Sequence, residues 1–597
     1  MEILFNSRNI EYKKPFGCLK RGENCFLRID IPSKCKTKKV KVCIFDEDGF
    51  EMRVPFNLYK TENDYEIYNC SFSLFKTGLY FYYFFIETTE GCFSLHKKGE
   101  HTNIAEGDFW QITCYNEYYD TPKDFKGRVM YQIFPDRFAI SGECDLKDKL
   151  TPFVIHESTD QLPVYTPNSQ GKYLNNDFFG GNLNGIASKI PYLKELGIGV
   201  IYLNPIFMAF SNHRYDTADY KRVDPMLGTE KDFKELCKKA HQNNIKIILD
   251  GVFSHTGSNS IYFDKENIFG TGAVSQENSP YKNWFMFESY PDKYTSWWGI
   301  DTLPCVDELN PDYMNYIIYD DDSVIKHWLR LGADGFRLDV VDELPDEFVL
   351  ALKNEMKDFK PDALLIGEVW EDASNKISYS KRRKYFTDSE LDSVMNYPFR
   401  NAVIGFVSGG ISGEEFKEQI MTIVENYPKE VLDCTMNMLS THDTPRILSC
   451  LGVEQRPYNK EELAHYVIPN KEEAVFKVKL ASLLQFTLPG MPCIYYGDEI
   501  GMEGFEDPLC RGFFKWKDKN EDLLEFFKKL TKLKNDNPSI KMGNINFLKI
   551  ENALTYIREF NGEKIGIYVG ESTKDFNNIL LEVSYGNKSG VIYKIDE

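Results

Sequence analysis

Eight short apolar segments between residues 125 and 520 each have the length of a buried strand, and most are separated by a segment with helical spacing. The segments are residues 128–134, 200–207, 245–250, 334–339, 364–369, 394–398, 436–443 and 491–499. Residues 186–197, for example, have helical spacing and stop at Gly197, which is typical of a helix C-cap. Strands that alternate with helices pair in parallel, and eight of them predict an α/β fold built on a closed (β/α)8 TIM barrel.

The other parts of the chain have different patterns. Residues 1–118 contain β-rich runs separated by turn residues, which predicts an N-terminal β-sandwich, a candidate carbohydrate-binding or dimerisation module. The catalytic barrel is expected at 125–520. Residues 256–310 interrupt it after the third strand, are rich in Ser, Asn, Tyr and Trp, and predict a small excursion domain over the barrel mouth. Residues 521–597 begin with a helical pattern, continue with strand-like runs and predict a C-terminal β-sandwich.

Charge and cysteine usage narrow the functional classes. The net charge of -20 argues against nucleic acid or an anionic membrane as partner, whereas a neutral substrate would not be repelled. The 14 cysteines are scattered without a Cys-x-x-Cys pair, which favours reduced core residues over a disulfide framework. The first residues lack the apolar core of a signal peptide, and no run of about 18 apolar residues suggests a membrane span. We therefore expect a cytoplasmic protein.

Polar side chains follow four of the predicted strands, at the ends where barrel enzymes place their active sites. Strand three ends at Asp250 and is followed by His255, strand four ends at Asp339, strand five at Glu368, and strand seven at His442 and Asp443. A lone histidine or carboxylate is usually structural, but a set of them at corresponding positions is hard to explain by core packing. We therefore expect these side chains to converge on one barrel mouth.

The fourth strand carries a candidate nucleophile. Arg337 and Asp339 are two residues apart, so in a strand both side chains point to the same face. The Arg337 guanidinium would then keep Asp339 ionised at neutral pH. From this stretch alone, a purely structural ion pair is an equally good interpretation.

Paired carboxylates are what glycoside hydrolysis requires. Asp339 would attack the anomeric carbon, and Glu368, which lies in an apolar strand just before Trp370, would serve as general acid/base. Asp443 could hydrogen-bond ring hydroxyls and stabilise the oxocarbenium-like state. His255 and His442 would donate to sugar hydroxyls.

The segments DGVFSH, GFRLDVVDE, GEVW and STHD resemble, in order, the four signature regions of the α-amylase superfamily, glycoside hydrolase family 13. The resemblance covers about residues 125–520 and implies a retaining mechanism on α-glucosidic bonds. The resemblance places the family's nucleophile on Asp339, its acid/base on Glu368 and its transition-state stabiliser on Asp443. It also places the motif arginine on Arg337 and the hydroxyl-binding histidines on His255 and His442. The family's aspartate at the end of strand three, which is mostly structural, falls on Asp250.

Further segments, SNHRYDTADY, YQIFPDRF and FFGGNLNGI, are similar to the cyclomaltodextrinase, neopullulanase and maltogenic amylase group. This similarity implies that Tyr215 stacks on the sugar at the cleavage site and that Tyr131 lines the same subsite; Trp370 is a further substrate-binding candidate. Residues 303–307 read LPCVD where the group has Met-Pro-Lys-Leu-Asn, and 340–343 read VVDE where it has Val-Ala-Asn-Glu. Both departures leave a linear-maltodextrin amylase open beside a cyclodextrin preference.

No cofactor is expected, and no Cys/His cluster predicts a transition metal. Some members of the resembled group bind Ca²⁺ near a Gly-Gly-Asp turn, but here the turn is Gly180-Gly181-Asn182 and the preceding loop has few aspartates, so calcium is not predicted. The expected partner is an α-glucan oligosaccharide, with a homodimer as a further hypothesis. Two other functions remain open: an α-glucan transglycosylase, and a catalytically silent glycan-binding barrel, which would be expected to lack one of the three catalytic carboxylates.

Overall fold

The computed structural model describes residues 2–572 and 575–595. Its contacts divide the chain into two compact units. The first comprises Met1–Thr121, Glu371–Asp392 and Lys417–Leu432, and the second comprises Pro122–Trp370, Ser393–Phe416 and Asp433–Glu597.

Within its described residues, the first unit contains a four-stranded and a seven-stranded β-sheet, as the β-rich pattern near the N-terminus predicts. One sheet has the spatial order Lys13–Lys14, Asn24–Pro32, Tyr65–Ser73, Asn57–Glu62; the other contains Leu19–Lys20, Thr37–Phe45, Glu51–Pro55, Gly78–Thr88, Cys92–Lys98, His101–Ile104 and Trp110–Tyr115. Side chains alternate along Gly78–Thr88: Tyr80, Tyr82 and Phe84 are buried in the core, and the residues between them are partly exposed. Shorter pieces are the strands Ile377–Ser378 and Lys381–Arg382, the 3-10 turns Ser33–Cys35 and Ala373–Asn375, and the helix Lys429–Leu432.

The second unit is built around eight parallel strands, which confirms the predicted TIM barrel. They are β1 (Met130–Ile133), β2 (Val200–Leu203), β3 (Lys246–Gly251), β4 (Gly335–Leu338), β5 (Leu364–Gly367), β6 (Ser393–Val394), β7 (Met436–Met438) and β8 (Met491–Tyr495). Their hydrogen-bonded order is β6-β5-β4-β3-β2-β1-β8-β7. A parallel bridge between Met395 and Met436 connects the two ends of this order, so the sheet closes on itself.

Alternation along each strand decides which side chains fill the barrel. Met130 on β1, Tyr202 on β2 and Ile248 on β3 belong to one buried cluster with apolar residues of the other strands. Because side chains alternate along a strand, Gln132 faces the same side as Met130, and Tyr131 faces the opposite side. The same alternation decides which side chains at the ends of the strands point into the mouth of the barrel.

Helices follow most of the strands. They are Leu183–Ser188, Ile190–Glu195, Glu230–Gln242, Pro311–Met314, Val324–Leu331, Asp346–Phe359, Tyr397–Ser408, Gly413–Asn426, Ile447–Gly452, Lys460–Ala464, Lys471–Thr487, Glu521–Asp536 and Pro538–Met542, with a π-helical turn at Asn315–Tyr319. Glu230–Gln242 begins with a capping box, in which the Thr229 hydroxyl accepts from the backbone of Asp232 and the Asp232 carboxylate accepts from the backbone of Thr229. Local sequence thus fixes where this helix starts.

Shorter elements occupy the loops of the second unit. The strands are Val154–Ile155, Asp177–Phe178, Phe207–Ala209, Thr217–Val223, Phe287–Ser289 and Lys293–Tyr294, and the 3-10 turns are Pro135–Arg137, Lys282–Trp284, Trp297–Gly299, Val341–Glu343, Asp498–Ile500 and Leu509–Arg511. The predicted excursion contains the turns Lys282–Trp284 and Trp297–Gly299, and an antiparallel bridge joins its Cys305 to His255, just after β3.

The C-terminal strands form one antiparallel sheet. Its spatial order is Asn544–Phe547, Leu554–Phe560, Glu563–Glu571, Lys588–Ile595, Ile579–Tyr585. One face packs on the helix Lys471–Thr487: Phe476 stacks on Tyr585 with ring centroids 5.8 Å apart, and Leu480 lies against Gly590. The sequence predicted a β-sandwich, in which a second sheet would cover this face. Among the described residues, the helix Lys471–Thr487 covers it instead.

None of the helices within the described ranges combines the length with the apolar composition that crossing a membrane requires.

Candidate active site

A single buried arginine holds three carboxylates at the ends of β3, β4 and β5. Arg337 Nη1 donates to Asp250 Oδ1 at 2.7 Å and to Asp339 Oδ1 at 2.8 Å. Arg337 Nη2 lies 2.9 Å from Glu368 Oε2 in an ion pair. Asp250 and Arg337 are register partners on neighbouring strands, and Asp339 and Glu368 are the first residues after β4 and β5. The structure therefore brings together the predicted nucleophile, the predicted acid/base and the aspartate of β3.

The ion pair between Arg337 and Asp339 is present, but its electrostatic effect differs from the sequence-based expectation. Burial raises the pKa of Asp339 well above its ordinary value; Arg337 opposes this, and the neighbouring charges of Glu368 and Asp250 add to it. Burial likewise raises the pKa of Asp250. Three carboxylates thus share one buried guanidinium, and the positive charge of Arg337 offsets the effect of burial on the pKa of Asp339 only in part.

Glu368 is fixed by two further donors. The backbone N–H of Val340 donates to Glu368 Oε2 at 2.9 Å, and Trp370 Nε1 donates to Glu368 Oε1 at 3.3 Å. Val340 has φ 39° and ψ 49°, a left-handed conformation that is rare for a β-branched residue and that aims this N–H at the carboxylate. The Trp370 ring stacks on Tyr397 with centroids 3.9 Å apart. Trp370 thus reaches the cluster through Glu368, and 45% of it is exposed.

Asp250 anchors two tyrosines. Tyr202 and Tyr215 each donate a hydroxyl to Asp250 Oδ2, at 2.6 Å and 2.9 Å. Asn204 Nδ2 donates to the Tyr215 hydroxyl at 3.1 Å. The Tyr215 ring lies parallel to the imidazole of His442, with centroids 5.4 Å apart. The predicted stacking tyrosine is therefore fixed beside the carboxylate cluster.

His442 links Tyr215 to the third predicted carboxylate. Gln132 Nε2 donates to His442 Nδ1 at 3.0 Å, so the proton of the neutral imidazole is on Nε2. That nitrogen contacts the Tyr215 hydroxyl and lies 3.1 Å from Asp443 Oδ2. Burial lowers the pKa of His442 well below its ordinary value, and nearby arginines lower it further. His442 is therefore a neutral donor at the edge of the site.

Asp443 is oriented by an arginine that the sequence interpretation missed. Arg511 Nη2 donates to Asp443 Oδ1 at 3.1 Å, while Arg511 Nε donates to the backbone carbonyl of His442 at 2.9 Å. The same guanidinium lies 2.7 Å from Asp507 Oδ1. The available signal was the position of Arg511 in the loop after β8, on the same side of the barrel as the other strand ends.

Both ring nitrogens of His255 have protein partners. Nδ1 lies 2.9 Å from the Ser254 hydroxyl, and Nε2 lies 3.1 Å from the backbone carbonyl of Tyr215. Burial lowers the pKa of His255 to about 4, so the ring is neutral at pH 7. His255 thus ties the loop after β3 to the segment that carries Tyr215. A sugar hydroxyl could receive its N–H only in place of this carbonyl.

The structure does not bring Tyr131 to the cluster. Its hydroxyl donates to Glu499 Oε1 at 2.7 Å, and the Tyr192 hydroxyl donates to the same oxygen at 2.7 Å. The physical reason is the alternation along β1, where Gln132 faces the barrel interior and Tyr131 faces the surrounding layer. Gln132, through His442, is the residue of this strand that touches the site.

The predicted turn at Gly180-Gly181-Asn182 offers little to a calcium ion. Asn182 Oδ1 accepts from the backbone of Gly185 at 2.7 Å and from that of Ser141 at 3.3 Å. Its oxygen is therefore already engaged in capping the helix Leu183–Ser188. Across residues 2–572 and 575–595, no group of three or more His, Cys, Asp or Glu side chains is arranged to hold a metal.

Known proteins have sequences similar to this chain. A family model described as the alpha amylase catalytic domain matches residues 132–543. The chain is 37% identical to an amylopullulanase of Thermoanaerobacter thermohydrosulfuricus over 594 aligned positions, covering 90% of this chain and 39% of that relative. It is 33% identical to a cyclomaltodextrinase of Geobacillus thermopakistaniensis over 469 positions, covering 76% of this chain and 71% of that relative. The chain thus spans well under half the length of the amylopullulanase.

A solved structure has the same fold. It is the ligand-free cyclic α-maltosyl-(1→6)-maltose hydrolase of Arthrobacter globiformis, which superposes with a TM-score of 0.63 at 26% identity. The superposition covers 80% of this chain and 99% of the other.

Proposed function

This chain belongs to the alpha-amylase family, and we propose that it is a retaining hydrolase of α-1,4-glucosidic bonds in maltodextrins, cyclodextrins or starch, with pullulan as a further candidate substrate. The observation that carries the proposal is the contact of Arg337 with Asp250, Asp339 and Glu368. This contact supports the proposal because it brings two carboxylates together at neighbouring strand ends, and a double displacement needs one carboxylate as nucleophile and one as acid/base.

In the first step, Asp339 attacks the anomeric carbon while Glu368 gives its proton to the departing glycosidic oxygen. The bond from carbon to that oxygen breaks, and a covalent glycosyl ester forms on Asp339. The contacts of Arg337 support this assignment, because one guanidinium holds both Asp339 and Glu368.

In the second step, Glu368 takes a proton from water, and the resulting hydroxide attacks the glycosyl ester and releases Asp339. Asp443 contacts ring hydroxyls and stabilises the positive charge that develops in both steps. Arg511 and His442 support this role, because both hold the Asp443 carboxylate at 3.1 Å. Tyr215 provides the ring beneath the reacting sugar, and Trp370 an exposed ring next to Glu368.

Transfer to a sugar is the second candidate reaction. A sugar hydroxyl that replaces water in the second step gives transglycosylation with the same residues. Hydrolysis is favoured because the similar proteins described above bear hydrolase names. A silent glycan-binding barrel is disfavoured because all three carboxylates are present.

The substrate class is tested by incubating the purified protein with β-cyclodextrin, soluble starch and pullulan in parallel. Asp339→Asn is the control, since it keeps the shape of the side chain and removes the nucleophile. Faster turnover of cyclodextrin than of starch would support a cyclomaltodextrinase; the opposite order would support an ordinary amylase. Equal inactivity of both proteins on all three glucans would contradict the proposal.

We also propose a reducing, cytoplasmic location. All 14 cysteines lie in the described ranges, and none of them forms a disulfide there. Proteins of oxidising compartments more often use cysteines in disulfides. A homodimer stays a hypothesis, and a monomeric mass by light scattering at working concentration would contradict it.

A further inference from the structure

Trp298 is an exposed tryptophan at the barrel mouth, and specific contacts fix its orientation. Of the seven tryptophans in the chain, Trp298 is the most exposed, at 79%. It lies in the turn Trp297–Gly299 of the excursion, with φ 51° and ψ 27°. This left-handed conformation is costly for a bulky residue and persists only where surrounding contacts enforce it.

One carboxylate supplies those contacts. Trp298 Nε1 donates to Glu343 Oε1 at 2.9 Å, and Trp297 Nε1 donates to Glu343 Oε2 at 2.8 Å. The two indoles lie with centroids 5.9 Å apart. Because each oxygen of Glu343 binds a different ring, both rings are fixed relative to one another and to the turn Val341–Glu343.

The Glu343 carboxylate and the two indoles that it holds, Trp297 and Trp298, form a clamp that lies beside the carboxylate cluster around Arg337. Glu343 is four residues after Asp339 and ends the turn Val341–Glu343, which follows β4 after two intervening residues. From the other direction, the Trp297 ring lies 5.6 Å from the His255 ring. Two independent routes, through β4 and through the loop after β3, therefore place Trp298 at the mouth of the barrel.

We propose that Trp298 is a binding platform for a glucosyl unit outside the cleavage subsite, and that Glu343 is the residue that positions it. This inference rests on the proposed action on α-glucans. A flat, immobile apolar ring suits the apolar face of a pyranose, and its immobility lowers the entropic cost of stacking. The Glu343 carboxylate, whose hydrogen bonds within the described residues go to the two indoles, acts through Trp298 and not on the sugar.

The platform is tested by comparing a long and a short substrate. Maltoheptaose can occupy the platform, whereas p-nitrophenyl α-glucoside reports mainly on the cleavage subsite. We expect Trp298→Ala to lower kcat/KM on maltoheptaose by about 5- to 10-fold, the size of one stacking contact, and to change the value for the aryl glucoside less than about 2-fold. Trp298→Phe keeps a ring face and should recover most of the loss.

Two further variants separate the platform from general effects. Glu343→Gln replaces an acceptor oxygen by a donor and should lower kcat/KM on maltoheptaose alone. Tyr458→Ala removes a fully exposed ring elsewhere in the second unit and should change neither substrate. In an Asp339→Asn background, Trp298→Ala should also weaken maltoheptaose binding by calorimetry.

The outcomes distinguish the two proposals. If the wild type cleaves maltoheptaose and Trp298→Ala lowers both substrates equally, or neither, the platform is refuted while the proposed function stands. If the wild type cleaves neither substrate, the proposed function fails first.

Discussion

Arg337 and Asp339, two residues apart at the end of β4, meet through a 2.8 Å hydrogen bond, and the same guanidinium nitrogen also holds Asp250 at 2.7 Å. One arginine thus fixes the positions of its neighbours on three strands. Its charge offsets the effect of burial on Asp339 only in part, so the pKa of that carboxyl stays above its ordinary value.

Arg337→Lys is expected to lower kcat by about 10- to 100-fold. The planar guanidinium of Arg337 reaches Asp339 and Glu368 at the same time, and a lysine ammonium cannot. The variant therefore lacks one charged hydrogen bond in the site. The pH dependence of kcat should shift as well, since Arg337 opposes the rise in the pKa of Asp339 that burial causes. Steady-state kinetics from pH 4 to 9 measures both effects. Arg330→Lys, on an exposed helix face, is the matched control; an unchanged profile in Arg337→Lys would contradict the assignment.

Arg511→Met should reduce kcat by about 10-fold or more through loss of the charged hydrogen bond to Asp443. Asp507→Asn leaves the contact between Arg511 and Asp443 in place and should have a much smaller effect. A double-mutant cycle of Arg511→Met with Asp443→Asn should be strongly non-additive. Additive losses would show that Arg511 acts elsewhere.

Acid should destabilise the fold in part through His255. Burial lowers its pKa from an ordinary value near 6.5 to about 4. The unfolded chain therefore binds the extra proton between these pH values, and stability falls as pH decreases through that window. Replacing His255 with Asn should reduce the difference in unfolding free energy between pH 7 and pH 4.5 by about 2 kcal/mol. Urea unfolding of both proteins at the two pH values measures it; an equal pH dependence would exclude this role.

Gly335→Ala should destabilise the barrel by more than about 3 kcal/mol. Gly335 has φ 148°, and an added Cβ would lie 2.0 Å from the backbone oxygen of Leu364 on β5. Gly512→Ala, where an added Cβ would meet only Met502 at 3.8 Å, is the control and should be nearly neutral. Thermal unfolding compares the two, and similar midpoints would contradict the close packing of β4 on β5.

Removal of divalent metal is expected to leave activity unchanged. The Asn182 oxygen is engaged with backbone donors of Gly185 and Ser141 and is not free for an ion. Activity on starch after dialysis against EDTA, with and without added Ca²⁺, tests this. A loss that Ca²⁺ restores would reveal a calcium requirement.

Patterns that repeat along the chain made the barrel predictable. Alternating strand and helix segments give the eight parallel strands, and the two-residue spacing of Arg337 and Asp339 gives their contact. The strands of the C-terminal sheet were predicted from the sequence, but the element that packs on the sheet was not. A strand pattern shows that one face of a sheet is buried, but it does not show which element buries that face. The helix Lys471–Thr487, more than 50 residues upstream of the first strand of that sheet, supplies the cover.

Other features depend on contacts that no local pattern contains. Tyr131 faces either the barrel interior or the surrounding helices, depending on which alternate residues of β1 point inward. The sequence does not show which, because a strand that is buried on both faces has no polar side. The raised pKa of Asp339 depends on its burial and on the charges of Glu368 and Asp250 beside it. The clamp of Trp298 by Glu343 joins residues 45 positions apart. Each requires the folded chain.

The central claim is that Asp339 forms a covalent bond to the sugar. The most direct measurement is to incubate the wild-type protein with 5-fluoro-α-glucosyl fluoride, which slows release of the intermediate, and to locate the adduct by peptide mass spectrometry. We predict a glycosyl adduct on the peptide that contains Asp339, absent from Asp339→Asn. An active enzyme whose adduct lies on another residue, or that forms none while inverting the anomeric configuration of its product, would contradict the account.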